Sequence, residues 1–168
     1  MLKCVTVVAG HGDQGWKYIP KPVLALAGVV IRHVACGSYH TAAISVDGEL
    51  YTWGGGMYGK LGHGNETGQP KPLLVQSLRG MPIAQVSCGS RHTLALLETG
   101  VVYSWGDRDN GVCGHGDVDG AFLPVQQSSM SSCCARRCAL VVKLVAHPTE
   151  ASTHTGYLFA QAINLPLE

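Results

Sequence analysis

The sequence carries almost no net charge. Its 12 basic and 11 acidic side chains are intermixed along 168 residues and leave a formal charge of +1. That balance provides no electrostatic footprint for nucleic acid or an anionic membrane, so neither is supported as a partner. Long apolar runs are also missing: none reaches the roughly 18 residues needed to cross a bilayer, so no membrane insertion is expected. The opening MLKCVTVVAGHGDQG contains a short apolar stretch without a clear signal-peptide cleavage pattern. An even disulfide framework is absent too. The seven cysteines fall at unrelated spacings apart from one pair, which suits a reducing compartment. The expectation is an intracellular chain in the cytoplasm, with the nucleus as a second location.

What the chain has in quantity is glycine, 22 residues, about 13% and close to twice ordinary usage, which demands a repeated structural cause. One glycine-rich stretch, GGGMYGK at Gly54 to Lys60, fits the opening of a phosphate-binding P-loop and follows the strand-like GELYTW. A P-loop needs a hydroxyl after the lysine and then a helix. Here Leu61 follows, then Gly62, His63 and Gly64, which cannot start a helix of any length.

Laying the chain over itself explains the glycines. A shift of 52 residues places Val34–Gly54 on Val86–Gly106, and Cys36, Gly37, His40, Thr41, Trp53 and Gly54 meet Cys88, Gly89, His92, Thr93, Trp105 and Gly106. Gly59, Gly62, His63, Gly64 and Pro72 meet Gly111, Gly114, His115, Gly116 and Pro124, whereas Lys60 meets Val112. Glycines that recur where the lysine does not serve the backbone rather than a phosphate. The same shift runs backwards: Gly10, His11, Gly12 and Pro20 meet Gly62, His63, Gly64 and Pro72, so the chain opens inside a unit.

Within each copy a strand (RHVAC or AQVSC) precedes a hairpin, and a further apolar stretch follows the glycine loop. About four strands per unit of roughly 50 residues, without helical periodicity, indicate propeller blades. The expected fold is all-β: a partial β-propeller of two full four-stranded blades plus a half blade, with an irregular C-terminal tail. Residues 1–30 form the partial blade, 31–82 and 83–127 the full blades, and 128–168 a tail outside the register. That tail holds Cys133, Cys134 and Cys138 beside Arg136 and Arg137, and ALVVKLV could add a strand or a short helix.

At V-x-C-G-x-x-H-T, the D/T-G turn, L/V-Y-T/S-W-G and G-x-x-G-H-G, the chain resembles the regulator of chromosome condensation repeat family over residues 8 to about 127. Members usually form seven-bladed propellers, so the resemblance implies about two and a half blades here. The plant ultraviolet-B photoreceptor of this family absorbs through tryptophans in G-W-R-H-T segments. Ser38 and Ser90 stand at that tryptophan position here, which removes the chromophore.

Cys36 with His40, and Cys88 with His92, have C-x-x-x-H spacing that could suggest zinc. The repeat puts the pairs on different blades, each short of the usual four ligands, so no metal is expected. The cysteines are expected to act as small buried hydrophobes, the histidines as hydrogen-bonded groups, and Trp53 and Trp105 as inter-blade core. No nucleophile, base and orienting acid stand together, so neither a catalytic site nor a cofactor is expected. Lys60, Arg91, Arg108 and Asp109 lie in blade loops, where family members contact partners. The resemblance implies a protein-interaction module with a small GTPase or a ubiquitin-pathway component as partner. Guanine-nucleotide exchange on a Ran-like GTPase, or a partial product without independent function, are the alternatives.

Overall fold

Each copy of the repeat folds into one four-stranded antiparallel sheet in a computed structural model that describes residues 9–13, 18–107, 113 and 123–126. In the first blade β1 (Ile31–Cys36), β2 (His40–Ser45), β3 (Leu50–Gly54) and β4 (Gln69–Leu74) lie side by side in chain order. In the second, β5 (Ile83–Cys88), β6 (His92–Leu97), β7 (Val102–Gly106) and β8 (Val125–Gln126) repeat that order. Thr41 pairs with Trp53 and Thr93 with Trp105, and both inner strand pairs shift register at the same place, Ile31/His33 and Ile83/Gln85.

Local chemistry accounts for the strand ends. The β2–β3 turn closes with the Gly48 amide donating to the Ser45 carbonyl at 3.0 Å, and Gly48 sits at φ 81°, a conformation that a side chain disfavours. Gly100 repeats this in the second blade, at φ 86°. Pro70 and Pro72 lie in β4, which among the described strands pairs only with β3, so their missing amides interrupt no strand ladder described on the other side. Leu24–Leu26, Met57–Gly59 and Gln76–Leu78 form short 3-10 turns. None is long and apolar enough to cross a membrane.

The core lies between the sheets. Ala42 and Ile44 of β2, with Leu50, Val75 and Leu78, pack against Ile83, Val86, Cys88 and Trp105 of the second blade. Inner strands carry much of this contact, β2 and β1 both lying against β5. Arg32 adds a cross-blade hydrogen bond to the Ile83 carbonyl and an ion pair with Glu98 at 3.3 Å.

Burial distinguishes the two blades. Val86 and Cys88 are covered by the first blade, whereas Val34 is 53% exposed and Cys36 is exposed. The expectation of buried cysteines therefore holds at Cys88 and fails at Cys36. Burial here is decided by which sheet has a neighbour on its inner strand, not by the residue type. Ahead of β1, Gly10 packs on the Trp53 indole and the Leu24–Leu26 turn rests on β4, so the described part of the opening segment lies against the outer strands of that blade. Readings that concern residues 127–168, including the Cys133, Cys134 and Cys138 group, lie outside the described residues.

Candidate functional site

Repeat residues join the blades through one hydrogen-bonded chain. The Thr93 hydroxyl donates to the Lys60 carbonyl at 2.8 Å, and the Trp105 indole N–H donates to the same oxygen at 2.9 Å. With its one proton committed, Thr93 Oγ1 accepts from His40 Nε2 at 2.8 Å. His40 thus carries its proton on Nε2, and Nδ1, fully enclosed, has no partner. Burial, helped by the Lys60 and His92 charges, lowers the His40 pKa to about 3. The ring fits because residue 37 is glycine: a Cβ there would sit 2.5 Å from His40 Cε1 and 2.4 Å from the Gly89 carbonyl oxygen.

The glycine loop is held from beneath in both copies. Thr52 donates to the Leu61 carbonyl at 2.6 Å, and Ser104 donates to the Cys113 carbonyl at 2.6 Å. Since the Thr52 proton is used there, His63 Nε2 donates to Thr52 Oγ1 at 3.0 Å. Gly59, Gly62 and Gly64 have φ of 69°, 78° and 82°, and Gly62 lies against the Trp105 indole. Turn geometry and close approach account for the recurring glycines.

Above this loop a group of side chains meets at the end of the sheets where β1 joins β2 and β3 joins β4. Lys60 is 3% exposed, with its ammonium 5.7 Å from the Tyr39 ring centroid and 6.0 Å from that of Tyr58. The Arg91 guanidinium stacks 4.7 Å from the Tyr58 centroid and pairs with Asp107 at 3.2 Å. Tyr58 is the sole non-glycine with positive φ among the described residues, 66°, and its amide is tied to Glu66 Oε1 at 2.9 Å. Burial first and the Arg91 charge second push the Lys60 pKa below its usual value.

Of the expected partner-contact residues, Lys60 and Arg91 come together, whereas Arg108 and Asp109 lie outside the described residues. Lys60 is not a solvated loop charge, because the residue is buried and its ammonium lies near the Tyr39 and Tyr58 rings. Cys36, Gly37, His40, Thr41, Trp53, Gly54 and their counterparts Cys88, Gly89, His92, Thr93, Trp105 and Gly106 occupy the strands and turns that join the sheets. Trp53 and Trp105 are 4% and 0% exposed. Sequence reasoning missed Tyr39, Tyr58 and Asp107. A signal was available: Tyr39 meets Arg91, Gly55 meets Asp107, Tyr58 meets Asn110 and Lys60 meets Val112, so this cluster is built from positions that do not repeat.

Two stacked sheets keyed by recurring His, Thr and Trp residues define a propeller-blade repeat protein. The model for the Regulator of chromosome condensation (RCC1) repeat matches residues 10–44, 47–96 and 99–141, and a second model of that repeat matches 31–59 and 83–112. The chain belongs to the RCC1 repeat family. Its last match continues past Gln127, where the sequence register was expected to end.

The chain is 47% identical over 121 residues to the human E3 ubiquitin-protein ligase HERC2, across 68% of this chain and 2% of that protein. It is 36% identical over 159 residues to the Ultraviolet-B receptor UVR8 of Arabidopsis thaliana, across 94% of this chain and 36% of that protein. It thus spans a small part of the first and about a third of the second. Among solved structures it is similar to yeast RCC1 (Prp20) bound to Kap60, with a TM-score of 0.55 and 27% identity over 62% of this chain and 26% of that one. The fold is that of a partial β-propeller.

Proposed function

We propose that this chain is a non-enzymatic protein-interaction module whose contact surface is the loop end bearing Tyr39, Tyr58, Lys60 and Arg91. One observation carries this reading: the repeating Thr and Trp residues, with His40, are buried in and between the blades, while residues that differ between copies gather at one end around exposed tyrosine and arginine side chains. Tyr39 is 51% exposed and the Arg91 side chain equally so. Aromatic and arginine side chains are the types that dominate protein contacts. The likeness to the ubiquitin ligase HERC2 favours a ubiquitin-pathway partner, and the likeness to yeast RCC1 keeps a small GTPase as the second candidate. Cytoplasm or nucleus is the proposed location.

The test has two arms. Proteins captured by the wild-type chain are identified, then re-measured as purified components against an Arg91→Glu, Tyr39→Ala variant, and binding is expected to fall. In parallel, nucleotide release from a panel of purified small GTPases is expected to be unchanged. Accelerated release would replace this reading with nucleotide exchange.

A further inference from the structure

We infer that Lys60 is the floor of a binding notch for the carboxylate of an acidic peptide segment, an assignment that deepens the interaction reading and rests on it. The Lys60 ammonium is the cation of a residue 97% removed from solvent, yet among the described residues it has neither a carboxylate nor a carbonyl acceptor. Its neighbours are the ring faces of Tyr39 and Tyr58. Gly55 lies alongside: a Cβ built there would be 3.8 Å from Lys60 Cε and 3.5 Å from Tyr39 Cβ, so the glycine leaves the space beside the lysine open. The ammonium keeps a path to solvent, since His40 Nδ1 is the single fully enclosed side-chain polar atom without a partner among the described residues. A cation that is largely covered, open to solvent only at its tip and without a protein anion, is placed to receive an incoming carboxylate.

Charge and shape select the ligand. Arg91 already spends its charge on Asp107 at 3.2 Å, so the cluster holds one uncompensated cation, Lys60. One positive charge matches a carboxylate better than a dianionic phosphate. The balanced charge of the whole chain supplies no field for nucleic acid. Beside the Arg91–Asp107 pair the rim carries Tyr39 and Met57, 51% and 63% exposed, which suits a peptide that places an apolar side chain beside its acid. The lowered proton affinity of Lys60, caused by burial and the Arg91 cation, agrees with a group whose missing partner is an anion.

The probe is a hexapeptide of alternating glutamate and leucine, titrated into the full chain while the Lys60 ε-carbon resonance is followed by NMR. Saturable binding that shifts this resonance is expected, and the glutamine–leucine counterpart should not bind. Lys60→Met keeps the stem and removes the charge, and should weaken binding at least about tenfold. Lys60→Arg should restore most of it. Arg79→Gln, at the opposite end of the sheets, should change nothing, and matching thermal melts show that each variant is folded. Absence of binding at millimolar peptide, or equal losses in the Lys60 and Arg79 variants, overturns the assignment. Tighter binding of a phosphoserine peptide or of single-stranded DNA overturns it in favour of that ligand. In these outcomes partner capture that still depends on Arg91 and Tyr39 leaves the interaction reading standing, whereas loss of that dependence removes the reading itself.

Discussion

Acidification should loosen the joint between the blades through His40. The unfolded side chain titrates near 6.5 and the folded one near 3, because burial in contact with Thr93 leaves no room for a second proton's charge. Between those values the unfolded state binds more protons than the folded state. Stability from the neutral ring is therefore complete above the unfolded value and is lost as pH falls toward the folded one. A difference of this size amounts to roughly 5 kcal/mol at the acid limit, of which about 2 kcal/mol is already gone near pH 5. His63 and His92 are lowered in the same direction by burial, so the wild-type slope alone does not isolate His40. The comparison is with His40→Gln, whose amide can donate to Thr93 Oγ1 but does not titrate. Urea unfolding followed by circular dichroism at near-neutral pH and about pH 5 should show a loss in the wild type that exceeds the variant's by about 2 kcal/mol. Identical pH dependence in the two proteins would refute the assignment of the buried neutral tautomer.

Replacing Trp105 by alanine removes a fully buried indole and the hydrogen bond to the Lys60 carbonyl, and should cost on the order of 3 to 5 kcal/mol in chemical denaturation. A loss below 1 kcal/mol would contradict its place between the blades. Gly37→Ala drives a methyl into the Gly89 carbonyl and the His40 ring, neither of which can swing away, so destabilisation of about 1 to 3 kcal/mol is expected in the same assay. Lys60→Ala should leave nucleotide binding, measured by calorimetry, at the wild-type level of none. ATP or GTP binding that disappears in this variant would revive the P-loop reading. The exposed Val34 and Cys36 on β1 should make the isolated chain self-associate in light scattering, and Val34→Lys should reduce this. A monodisperse wild-type monomer with a sharp melt would show that this face needs no cover.

Recurrence alone determined the strands, the turns and the residues that hold one blade to the next. A sheet needs local alternation and glycine at positive φ, and a repeat interface must use the same side chains at each junction, so both leave periodic marks in the sequence. Trp53 and Trp105 could be assigned to the core on that ground, and Lys60 could be separated from a phosphate loop because Val112 stands at its counterpart. Only the tertiary structure decided that Cys36 is open while Cys88 is closed, because burial depends on a neighbouring sheet that no local pattern encodes. It alone brought Tyr39, Tyr58, Lys60, Arg91 and Asp107 together. These residues come from two blades and four separate loops, and their proximity follows from how the sheets stack. The positions that carry chemistry are those the repeat leaves free to vary, so the periodicity that revealed the scaffold hid the surface it supports.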